Sequence, residues 1–164
     1  MLKIIGASFT ILGGLLLGLK MKKDIKDECV FTENLISGLI ALKEEIRFVP
    51  DVLKNSILKC SETAGCAKEL FLDVYNRIES GSSAEEAWET AVCELKNEEV
   101  RTVLSETGRQ IGKSDTDGQI SLLEIAISKL SRIYDKRLEH LTISANQYPK
   151  FGAVSGILIA VLLI

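Results

Sequence analysis

Apolar segments bound this sequence on both sides, and nearly all of its charge lies between them. Met1 to Leu19 carries one charged residue, Lys3, and Phe151 to Ile164 carries none. A chain laid out this way must bury two greasy stretches as well as fold its middle, and a bilayer is the solvent that accepts both. At 1.5 Å per residue, a helix over the first segment reaches about 28 Å, against a hydrocarbon core of roughly 30 Å. The second segment reaches only about 21 Å, so length alone allows a buried core helix or a membrane segment that tilts, thins the bilayer or starts upstream at Tyr148. Lys150 at its border and the lack of polar residues after Ser155 favour the membrane.

Lysines Lys20, Lys22, Lys23 and Lys26 follow the first segment, and Arg132, Lys136, Arg137 and Lys150 precede the last. Short basic flanks stay in the cytoplasm, so both ends predict the same topology: N-terminus out, central domain cytoplasmic, C-terminus out. A cleaved signal peptide fits less well, because Leu15 to Lys20 offers no small-x-small site and runs directly into lysines. Small residues recur at steps of four, Gly6, Thr10, Gly14 and Gly18 in one segment and Gly152, Gly156 and Ala160 in the other. That spacing puts them on one ridge, where a missing side chain lets another backbone approach. It predicts packing of the anchors on each other or between protomers, against the plain alternative that glycine is common in membrane helices.

The middle reads as all helical. It contains Pro50 and, near its end, Pro149, with no period-two run of β-branched residues. Phe31, Leu35, Leu39, Leu42 and Ile46 share one helical face that ends before Pro50. A second helix is predicted from about Pro50 to Glu62 on Leu53, Ile57 and Leu58, and a third carries Leu70, Val74 and Ile78 and stops at Ser80-Gly81-Ser82. The fourth opens with a capping box, Ser82 with Glu85 or Ser83 with Glu86, and presents Ala84, Ala87, Trp88, Ala91, Val92 and Leu95. A fifth holds Val100, Val103, Leu104 and Ile111. The sixth starts near Asp117 or Gly118 and carries Ile120, Leu123, Ile127, Leu130, Tyr134, Leu138 and Leu141. Short connections imply antiparallel neighbours. The fold expected is all-α, a membrane-anchored antiparallel bundle of about six helices over 20–148, flanked by transmembrane helices at 1–19 and 149–164.

Chemistry is hard to find in it. Cys29, Cys60, Cys66 and Cys93 have no CxxC spacing and read as small core residues in a reducing cytoplasm, and the single histidine, His140, reads as a surface residue of the last helix. Gly108 to Ser114 only superficially resembles a phosphate loop, lacking both the glycine spacing and the preceding strand. Asp115, Asp117 and Gly118 suggest the opening of a calcium loop, but position twelve is Ala126 instead of glutamate, so Asp115 is read as a helix cap. No catalytic, cofactor-binding or metal-binding residue is assigned, and no cofactor. With pI near 5.3 and no basic stripe, nucleic acid is a poor partner. Nine acidic residues between Asp73 and Glu106 face only Arg77, Lys96 and Arg101 in that stretch. They form either a solvated face or a docking surface for a basic partner, with Glu85, Glu86, Glu89, Glu98 and Glu99 the candidate docking residues.

Met1-Leu2-Lys3-Ile4-Ile5-Gly6, the run Leu39 to Ile46, Glu85-Glu86-Ala87-Trp88, the turn Gly108 to Asp115 and the terminal Leu/Ile/Val segment together resemble the stage III sporulation protein AB family, over essentially the whole chain. Ser80 to Ala87 and the Gly108 turn are also remotely similar to the cytoplasmic six-helix domain of platform protein F of type II secretion and type IV pilus systems. The Phe48-Val49-Pro50-Asp51 turn departs from the Thr-Pro-Leu-like form expected of the family. The resemblance implies a non-enzymatic platform subunit in the mother-cell membrane around the forespore. Its implied partners are a cytoplasmic secretion-type ATPase, stage III sporulation protein AA, and other membrane subunits of the sporulation channel. The rival expectation is a membrane-anchored helical sensor that responds to a small ligand or cation at the Asp115 loop.

Overall fold

The computed structural model describes residues 2–48, 53–143 and 154. Among these residues every regular element is helical: α1 (Leu2–Phe48), α2 (Leu53–Ser61), a 3-10 turn (Gly65–Ala67), α3 (Lys68–Glu79), α4 (Ala84–Cys93), α5 (Glu98–Gly108) and α6 (Thr116–Ile143). The all-α expectation holds. One boundary differs: the N-terminal segment and the helix carrying Leu35 to Ile46 form a single helix of 47 residues. Between Lys20 and Ser37 there is no proline or glycine, so nothing in the sequence breaks the hydrogen-bond ladder there. No helix among the described residues is long and apolar enough to cross a membrane.

Two compact units divide the chain, one of residues 30–135 and one combining residues 1–29 with 136–164. In the first, α2 lies on α3, α3 on α4 and α4 on α5, the consecutive neighbours that short loops impose. Lys54 at the start of α2 pairs with Glu79 at the end of α3, so these two run antiparallel. Lys43 and Arg47 near the end of α1 reach Glu124 of α6 at 3.4 and 3.6 Å. In the second unit, Glu28 of α1 pairs with Arg137 of α6.

The core of the bundle follows the predicted stripes. Leu35, Leu39, Leu42, Ile46, Ile57, Leu70, Val74, Ala87, Trp88, Ala91, Val92, Val100, Val103, Leu104, Leu123 and Leu130 are buried. At its centre Trp88 packs edge-on against Phe71, with ring centroids 6.1 Å apart and planes at 76°, and its indole N–H donates to the Leu104 carbonyl at 2.8 Å. Two glycines make room for these rings. A Cβ on Gly108 would sit 2.1 Å from Trp88 Cδ1, and one on Gly38 would sit 2.6 Å from Phe71 Cε2. Helix ends are closed locally. Ser83 and Glu86 form the capping box of α4, Ser83 Oγ accepting the Glu86 N–H at 3.2 Å and the Glu86 carboxylate accepting the Ser83 N–H at 3.3 Å.

Several sequence-based boundaries shift by a turn or less. α5 ends at Gly108, so Ile111 lies in the following turn, yet its side chain is still buried. α6 starts at Thr116, with Asp115 accepting the Gly118 N–H at 3.0 Å, the capping role expected of that aspartate. Leu58 and Leu138 are exposed rather than core.

Candidate docking surface

The α4–α5 hairpin carries all five candidate glutamates, and its geometry separates them. The two helices run antiparallel, because Glu85 in the first turn of α4 pairs with Lys113 beyond the end of α5 while Trp88, further along α4, reaches back to Leu104 within α5. Glu85, Glu86 and Glu89 therefore gather at one end of the pair. Glu98 and Glu99 open α5; its eleven residues place them about 15 Å along the helix from the other end. There they also suit the positive end of the helix dipole.

At the first end the carboxylates are not bare. Glu85 pairs with Lys113 at 2.6 Å, Glu89 with Arg109 at 3.1 Å, and Glu86 is committed to the cap of its own helix. Lys113 and Arg109 belong to the turn after α5, so residues that look basic in the sequence beyond the acidic stretch fold back onto it. These pairs are exposed, and pairs of that kind contribute about 0–1 kcal/mol each. A partner can displace them at small cost. Between α4 and α5 runs a groove of about 420 Å³ lined by Glu89, Cys93, Arg101, Ser105, Glu106 and Arg109. A second depression, of about 480 Å³, lies between α5 and α6 and is lined by Glu98, Glu99, Thr102, Val103, Lys129, Arg132 and Ile133.

The remaining candidates fall elsewhere. Gly14 is half-buried and Gly18 buried on α1; Gly6 also lies on α1, though its surroundings, together with Gly152 and Gly156, are outside the described residues. Cys29 and Cys60 are buried as expected, whereas Cys66 and Cys93 are on the surface. Their stripes explain why: Cys66 sits in the 3-10 turn, where its sulfur accepts from the Asn34 amide at 3.1 Å, and Cys93 is the last residue of α4. Burial pushes the Cys60 thiol up to about 12, and its S–H donates to the Ile57 carbonyl at 3.0 Å. His140 is exposed on α6. Among the described residues no three of His, Cys, Asp and Glu come together in a way that could hold a metal ion.

The family model described as stage III sporulation protein AB matches residues 3–164. The chain belongs to this family. No curated protein and no solved structure matches it. Membership agrees with the resemblance carried by Leu39 to Ile46, Glu85 to Trp88 and the Gly108 turn, and these segments now have structural roles. The first supplies the α1 face of the core, the second the capping box and central tryptophan, and the third the close approach to that tryptophan.

Proposed function

We propose that the chain is a non-enzymatic platform subunit of the sporulation channel apparatus. In this reading both apolar ends hold it in the mother-cell membrane around the forespore, and the bundle faces the cytoplasm. The observation that carries the reading is the Glu28–Arg137 ion pair. It joins α1 and α6 within the unit formed by both chain ends. Two helices held side by side there provide a common base for two apolar tethers, with Lys20, Lys22, Lys23 and Lys26 on the cytoplasmic side of the first. The exposed Leu12, Leu16, Leu17 and Leu19 of α1 support the same reading, since side chains of this kind are costly in water. Gly14 and Gly18, with Gly6, Gly152 and Gly156, supply the ridges along which the tethers pack.

On the bundle, the end of the α4–α5 hairpin that carries Glu85, Glu86 and Glu89 receives the secretion-type ATPase. A basic segment of that partner exchanges with Arg109 and Lys113 for Glu89 and Glu85. Co-purification of the full chain with the ATPase tests this. Glu85→Lys with Glu89→Lys should cut recovery severalfold, and unchanged recovery would remove this docking surface. The topology has a built-in reporter, because Cys66 and Cys93 are exposed while Cys29 and Cys60 are buried. A membrane-impermeant maleimide applied to intact protoplasts should leave both unlabelled until the cells are opened. Labelling from outside would overturn the cytoplasmic placement.

A further inference from the structure

The depression between α5 and α6 has walls of opposite charge. Its α5 wall carries Glu98 and Glu99, its α6 wall carries Lys129 and Arg132, and Val103 and Ile133 form an apolar floor between them. Lys129 is already held by Glu106 at 2.7 Å. Glu98 and Arg132 have no ion-pair partner among the described residues, although both line the same depression. A ligand of a single charge sign would satisfy one wall and be repelled by the other. A surface related to this one by a two-fold axis presents the matching charge to each wall, because in an isologous contact residue i meets j and j meets i.

We propose that this α5–α6 face is the contact between two copies of the chain, with Glu98 of each copy paired to Arg132 of the other across the Val103–Ile133 floor. The surface is distinct from the Glu85–Glu89 end proposed for the ATPase, so the two contacts can be made together. Thr102 is exposed and lines the same depression, so in this contact it meets its own counterpart and serves as the crosslinking position.

The test uses the full chain carrying Thr102→Cys in a Cys66→Ser, Cys93→Ser background, with two epitope tags for two co-expressed versions. Oxidative crosslinking is run on whichever cell fraction holds the chain, so that a failure of the membrane placement is seen separately. A symmetric disulfide dimer is expected. Glu98→Arg alone and Arg132→Glu alone should each lower the dimer yield at least about tenfold, since each replaces two attractive contacts by two repulsive ones. Co-expressing the Glu98→Arg chain with the Arg132→Glu chain should restore a mixed dimer, which also shows that both variants fold. Absence of the wild-type dimer, a yield indifferent to either reversal, or no recovery on mixing would each overturn the proposal. Indifference to reversal would mean that association runs through the apolar ends.

Discussion

Replacing Gly108 by alanine isolates the tightest contact in the bundle. Within a helix this exchange ordinarily stabilises by about 1 kcal/mol, because alanine loses less backbone entropy on folding. Here the added methyl would lie 2.1 Å from Cδ1, 2.6 Å from Cγ and 2.9 Å from Cβ of Trp88. None of those atoms is the free end of a flexible chain. Trp88 is fully buried, pinned by Phe71 on one side and by its N–H bond to Leu104 on the other. Overpacking a filled core costs about 1–3 kcal/mol, and displacing the indole leaves a buried donor and acceptor unmatched at about 1–3 kcal/mol more. Against the propensity gain, the net is a loss of about 3 kcal/mol, within a range of about 1–5. Trp88 is the single tryptophan of the chain, so its fluorescence during guanidinium unfolding of the full chain in detergent reads the core directly. Gly13→Ala is the control, since Gly13 also lies in a helix but has no atom within 4 Å of an added Cβ. That variant should match wild type or exceed it slightly. A Gly108→Ala chain as stable as wild type would refute the close approach of α5 to Trp88.

Other substitutions test the remaining features. Ser83→Ala removes half of the capping box and should lower stability by about 1 kcal/mol in the same assay, whereas Ser83→Asp should retain most of it. In the native chain a maleimide should modify Cys66 and Cys93 and spare Cys60 until denaturant is added, as counted by intact mass. Because the Cys60 thiol is raised to about 12 from an ordinary value of 9.0, the unfolded chain loses that proton first as pH rises. Stability should therefore be retained below about pH 9 and fall between about pH 9 and 12, and Cys60→Ala should flatten that slope. Asp115→Ala should cost about 1 kcal/mol through the lost cap, and calcium or magnesium should leave the melting temperature of the wild-type chain unchanged; a cation-dependent shift lost in Asp115→Ala would instead favour the sensor reading.

Much of the bundle could be read from single-helix patterns. The stripe Leu35, Leu39, Leu42, Ile46 and the set Ala87, Trp88, Ala91, Val92 are buried where their spacing placed them, because a helix turns by a fixed angle and its apolar face must find the core. The Ser83 box and the Asp115 cap were legible for the same local reason. Phe71 was missed although it is fully buried. It stands beside Leu70 and three residues before Val74, so its signal was present in the wider apolar face of α3. The functions of Gly38 and Gly108 had no such signal, since each depends on a ring from another helix. The candidate site was legible mainly as composition. An acidic stretch appeared in the sequence, but Lys113, Arg109 and Lys129 come onto it from outside that stretch or from α6.

The sequence by itself determined that the chain is helical, where most helix faces turn inward, that Asp115 caps α6 and that α4 opens on one of two capping boxes, and that both ends are apolar. These properties follow from periodicity and from hydrogen bonds between residues a few positions apart. Only the tertiary structure decided that Glu85 and Glu89 are paired while Glu98 and Arg132 line one depression, which cysteines reach the surface, and that Glu28 and Arg137 join α1 to α6. Each of those joins residues distant along the chain, and charge and volume matching across such a separation leaves no period for a one-dimensional pattern to reveal.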